Sequence, residues 1–304
     1  MTSTVPWVVL ALGAAAGETL RDLALRRVLR NSGWSTLRVI GLSSGIAALL
    51  LAPAIPGLLQ PQNLQGFLGA LLLGGSLNAL AFWSYGRAIA LEDLSLVLPL
   101  INLSPLVLLF SGWWVLGERP SLAAVLGVGL LVIGALLLGH SQSRSGLRFG
   151  DLKPLWSSQG CRWMLLVAVV WGVCASIDKL GVQAGGSLLW VLSLQLVIGS
   201  SLLGLSLKGR LDHKPTSSVE PRIPGVALTL VVAGAAGALG TLGQMEAINQ
   251  TAVVHVIAIK RLSTLMGSGA GIAALGESNG RERLTAATLM VLGAATVLLG
   301  AAMQ

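Results

Sequence analysis

Residues Ala252–Leu275, AVVHVIAIKRLSTLMGSGAGIAAL, form an apolar run long enough to cross a bilayer, and Lys260 and Arg261 stand side by side near its middle. A charged side chain at membrane depth costs roughly 3 kcal/mol even on insertion scales that allow snorkelling. Two adjacent cations therefore demand a fold in which other helices screen this one from lipid. They also demand a counter-charge or a ligand.

The rest of the chain can supply such a fold. Hydrophobic residues make up 54% of its 304 positions and charged residues 11%, against about 25% charged in soluble domains. Mean hydropathy is +0.81. A span needs about 20 apolar residues, so the chain has room for about ten. The expected helices cover 5–24, 36–53, 64–86, 94–116, 121–139, 163–182, 187–207, 224–246, 251–275 and 284–303. Glycines recur through them, as expected where helix backbones approach closely without a hydrophobic force between them. The fold class is all-α, a membrane protein.

The formal charge of +8 does not mark a nucleic-acid binder. Arg26, Arg27, Arg30, Arg38, Arg144, Arg148, Lys153, Arg162, Lys208, Arg210, Lys214, Arg222, Arg281 and Arg283 lie in the connections after spans 1, 3, 5, 7 and 9, whereas Ala52–Asn63 carries no basic residue. The positive-inside rule then makes the basic connections cytoplasmic and both termini non-cytoplasmic. Met1–Pro6 lacks a basic n-region, so no cleavable signal is expected. Cys161 and Cys174 form no CxxC and are expected as free thiols. No metal or cofactor motif stands out, and without HExxH or GxSxG an enzyme is not expected.

The two halves repeat. Ala88–Glu118 overlays Ala247–Glu277 without a gap, at the constant offset of 159 residues that separates Glu118 from Glu277. Both segments end in Leu-Gly-Glu. Five spans per half, an odd number, turns the second half over in the membrane. The expected organisation is a first repeat over 1–140, a linker over 141–162 and an inverted second repeat over 163–304. Inverted repeats recur in secondary transporters, with the binding site between them near the midplane.

The ten-span count, the two five-span halves, Leu116-Gly117-Glu118, Leu275-Gly276-Glu277 and the Ile259–Ser263 stretch together resemble the EamA-like branch of the drug/metabolite transporter superfamily. That resemblance implies a monomer or weak homodimer in the lipid bilayer, with a cavity lined largely by the third and fourth spans of each half. It does not imply one substrate. Lys260-Arg261 also resembles the Lys-Arg pair that the superfamily's sugar-phosphate translocators use to hold phosphate.

Lys260 and Arg261 lie about 100° apart around a helix. Thr264 is i+4 from one and i+3 from the other, so the three suit an anionic headgroup. Neutralisation by Glu18, Asp22, Asp178 or Glu246 is the alternative. Asn102, beside Pro99 and Pro105, aligns with Arg261 in the overlay, and Gln244 aligns with Tyr85. Trp83, Tyr85, Asn102, Gln244 and Thr264 are the further candidates for substrate contact. Glu18, Asp22, Asp178, Lys179 and His255 are the candidates for coupling or internal pairing. The first expected span is weakened by Glu18, Arg21 and Asp22, either at a helix end among headgroups or lining a cavity. Glu118 and Glu277 are read as span-end charges that cap or pair with local arginines. The expected function is secondary transport of a small metabolite with an anionic group, with flipping of a lipid-linked phosphate as the alternative.

Overall fold

The computed structural model describes residues 6–54, 61–92, 97–142, 158–208, 225–266 and 280–302. Glu277 and the basic residues between 143–157 and 209–224 lie outside them. Among the described residues there is no strand, and the helices are α1 (Trp7–Asn31), α2 (Thr36–Leu51), α3 (Leu64–Leu91), α4 (Ser104–Leu116), α5 (Leu122–Gln142), α6 (Gln159–Gly185), α7 (Ser187–Leu207), α8 (Val226–Gln250), α9 (Val253–Lys260) and α10 (Gly280–Ala302). A 3-10 segment, Leu98–Leu103, leads into α4. Six of these stretches are long and apolar enough to cross a membrane, and α2 and the first part of α5 are shorter apolar helices.

Local chemistry sets several ends. Ser35, Asn63, Ser121 and Ser158 each accept a hydrogen bond from the amide three residues on, which satisfies an orphan donor of the first turn. Gly117 adopts φ 68° after α4, and the Glu118 amide returns to the Gly112 carbonyl at 3.2 Å. That left-handed ending favours glycine.

Three helices depart from expectation: the span expected over 94–116 is α-helical only from Ser104, after the 3-10 segment. Helix α1 runs on past residue 24 to Asn31, so Glu18, Arg21 and Asp22 occupy its middle rather than an emerging end. The run expected over 251–275 stops at Lys260. Arg261 and Leu262 form a turn, Ser263–Met266 resume a short helix, and 267–279 lie outside the described residues.

Helices of the two halves pack on one another: α1 on α8, α2 on α7, α3 on α6 and α5 on α10, while α4 packs mainly on α6 and α9 mainly on α1. Glycines allow the closest crossings. A methyl group built on Gly17 would lie 2.9 Å from the Gly240 Cα and the Ala236 carbonyl oxygen, and one on Gly127 would lie 2.6 Å from the Gly293 oxygen. Backbone cannot yield there as a side-chain tip can. Gly127→Ala should therefore cost about 1–3 kcal/mol, read as a lower midpoint of thermal unfolding in detergent. An unchanged midpoint would show that α5 and α10 separate freely.

Outward faces stay apolar. Leu72, Trp114 and Leu122 are each at least three-quarters exposed, as suits contact with lipid tails.

Candidate functional site

The charged residues of α1 meet the end of α9. Glu18 and Arg21 are buried within the bundle. The Glu18 carboxylate lies 3.2 Å from Lys260 Nζ, 3.8 Å from Arg261 Nη1 and 3.9 Å from Arg21 Nη2. It also accepts a hydrogen bond from Ser263 Oγ at 2.9 Å. Arg21 is shared with Asp22 at 3.2 Å. One carboxylate thus answers three cations.

The break in α9 explains how two adjacent cations are tolerated. The amides of Leu262, Thr264 and Leu265 bond three residues back, to the oxygens of Ile259, Arg261 and Leu262. The helix accordingly ends at Lys260, and both cations sit at its carbonyl-bearing terminus, where positive charge is favoured.

The two cations are not equivalent. Lys260 Nζ donates to Gln244 Oε1 at 2.6 Å in addition to its contact with Glu18. Arg261 is 3% exposed, and its Nε and Nη1 have no hydrogen-bond partner among the described residues. The 3.8 Å approach of Nη1 to Glu18 is too long for a hydrogen bond. Buried donors of a charged group are costly to leave unpaired.

These side chains line a cavity of about 60 Å³. Its walls include Asn78 and Phe82 of α3, Trp171 and Asp178 of α6, Gln195 of α7 and Gln244 of α8, together with Glu18, Arg21, Lys260 and Arg261. Asp178 accepts a hydrogen bond from Trp190 Nε1 at 3.3 Å. The expectation that the third and fourth spans of each half form most of the wall needs correction. Helices α3, α8 and α9 contribute, but α1, α6 and α7 stand where α4 was expected.

Other candidates lie off the wall. Asn102 donates to Thr264 Oγ1 at 3.0 Å and to the Pro99 oxygen at 3.2 Å, so these two candidates engage each other. Tyr85 is buried with its ring 5.6 Å from that of Trp171, behind the cavity lining. Trp83 packs edge-on against Trp163 at 5.2 Å. His255 Nδ1 is 3.1 Å from Thr251 Oγ1, and its ring is 6.1 Å from that of Trp7. Lys179 pairs with Glu118 at 2.6 Å. Cys161 and Cys174 are free and buried. Asn78, Gln195 and Ser263 were not singled out from sequence, although an amide inside an apolar run was the available signal for the first two.

A bundle of apolar helices enclosing a charged, polar cavity defines an integral, multi-pass membrane protein. Residues 5–139 match the model of the EamA-like transporter family. The whole chain is similar in fold to a protein of known crystal structure, with a TM-score of 0.76 over 98% of each chain at 17% identity. No curated relative matches the sequence.

Proposed function

We propose that this protein is a secondary active transporter of a small metabolite bearing an anionic group. Its two inverted five-helix repeats, 1–140 and 163–304, rock around the central cavity in alternating access. The observation that carries the reading is Arg261, a buried guanidinium on the cavity wall with two unpaired donors. A carboxylate or phosphate satisfies those donors and joins the field of Lys260, while Glu18 holds the cations together when no substrate is present.

The helix pairing supports the repeat. Exchanging the first five helices with the second five turns the α1–α8 pair into α6–α3 and the α4–α6 contact into α9–α1, and it maps α2–α7 and α5–α10 onto themselves. That is the contact pattern of two repeats related by a two-fold axis. Ten crossings place both termini on one side, non-cytoplasmic by the basic connections.

A thermal-shift screen of purified protein against anionic metabolites tests the site. A ligand present at a hundred times its Kd stabilises by about 2.7 kcal/mol, and Arg261→Ala should erase that shift. In proteoliposomes the Lys260→Ala/Arg261→Ala double variant should insert normally and transport nothing. Transport at the unmodified rate by the double variant would reject the role of the pair.

A further inference from the structure

We propose that Glu118 is a positioning residue for the Lys260–Arg261 site, acting through α9, and that with Lys179 it latches one end of the cavity. The inference rests on the transport reading above.

Gly117 turns the chain sharply at the end of α4 and aims Glu118 at the second half. Both carboxylate oxygens lie near the Val253 amide, at 3.0 and 3.3 Å. Val253 is the first residue of α9, and the residue at its cap position, Ala252, makes no side-chain cap. Ser, Thr, Asp or Asn ordinarily fills that position. Here a carboxylate from the other half, 135 positions away in sequence, does so instead. It also meets the positive end of the helix dipole.

The same carboxylate takes Lys179 Nζ at 2.6 Å, and Lys179 donates in turn to the Thr251 oxygen at 2.9 Å. The end of α4, α6, the end of α8 and the start of α9 therefore meet at one side chain. This knot lies one helical turn beyond the wall. Lys179 follows Asp178, and Val253 precedes Ile257 by four residues, while Asp178 and Ile257 both line the cavity.

Helix α9 has eight residues, about 12 Å of rod, with Glu118 holding one end and Lys260 standing at the other. Opening the cavity at this end pulls Glu118 away from Val253 and Lys179 together. The rod then loses its anchor, and the cations move with it. Cavity opening and cation placement are one event.

Cys174 lines the cavity on α6 and reports the event without a substrate. In a Cys161→Ser background it is the sole thiol of the chain, which has two cysteines. Its labelling by N-ethylmaleimide is followed in purified protein well below the unfolding midpoint, with inorganic phosphate as the anion probe. Lys179→Met removes the ion pair and keeps the cap; its labelling should be about three- to five-fold faster, with phosphate protection within two-fold of the parent. Glu118→Ala removes both; labelling should be at least ten-fold faster, and the phosphate needed for half-protection should rise at least five-fold. Glu118→Gln, which keeps an acceptor for Val253, should follow Lys179→Met. Parent-like labelling in Lys179→Met and Glu118→Gln overturns the latch. Glu118→Ala with parent-like phosphate protection overturns the positioning role. If phosphate does not protect the parent, the anion reading fails while the labelling rates still decide the latch.

Discussion

Glu18→Ala is expected to yield little or no monodisperse protein on size exclusion. The substitution removes the counter-charge of Lys260 at 3.2 Å, Arg261 at 3.8 Å and Arg21 at 3.9 Å, and the acceptor of Ser263. Removing one partner of a buried pair costs about 3–5 kcal/mol because the other charge remains. Here two charges remain, Lys260 and Arg261, since Arg21 keeps Asp22 at 3.2 Å, against a total stability of about 5–15 kcal/mol for a typical protein. Glu18→Gln keeps an acceptor for Ser263 and Lys260 but no charge, and should fall between the two. Adding Lys260→Met to Glu18→Ala removes one stranded cation and should recover part of the yield. If Glu18→Ala unfolds at the same temperature as the parent, the cluster holds nothing together.

The second large effect is expected at Trp190. Its side chain is fully buried, edge-on to Phe67 with centroids 5.7 Å apart, and its indole nitrogen donates to Asp178. Trp190→Ala should cost about 3–5 kcal/mol through lost contact and the void it leaves. Trp190→Phe restores most of the contact but leaves Asp178 without that donor, a loss of about 1–3 kcal/mol. Thermal unfolding of the two variants separates packing from hydrogen bonding. Equal midpoints for Phe and Ala would assign the whole effect to the Asp178 contact.

The membrane class and the Lys260–Arg261 cluster were legible in sequence, because apolar runs and misplaced charges are local signals. Glu18 stood among the partners expected for the cations, and Gln244 among the polar residues expected near them. The break after Lys260 was not legible. From Val253 to Met266 there is no proline or glycine to announce it, and the turn is set by partners on α1 and α8. The length of α1 was misjudged for a related reason. Glu18, Arg21 and Asp22 look like a helix end until the residues that neutralise them are seen. Glu118 was expected to cap or to pair with arginines nearby; it does cap, but at the first amide of α9 in the other half, and it pairs with Lys179. That choice depends on how the halves dock, which no local pattern encodes.

The pairing of helices across the halves also dictates how the chain must be made. Helix α1 emerges from the ribosome long before α8 exists, and α2 before α7. The first five helices must therefore sit in the bilayer with their small-residue crossings vacant and Glu18 unanswered by Lys260 or Arg261. Contacts of such long sequence separation form late and slowly. Insertion and assembly are then two separate stages of biogenesis.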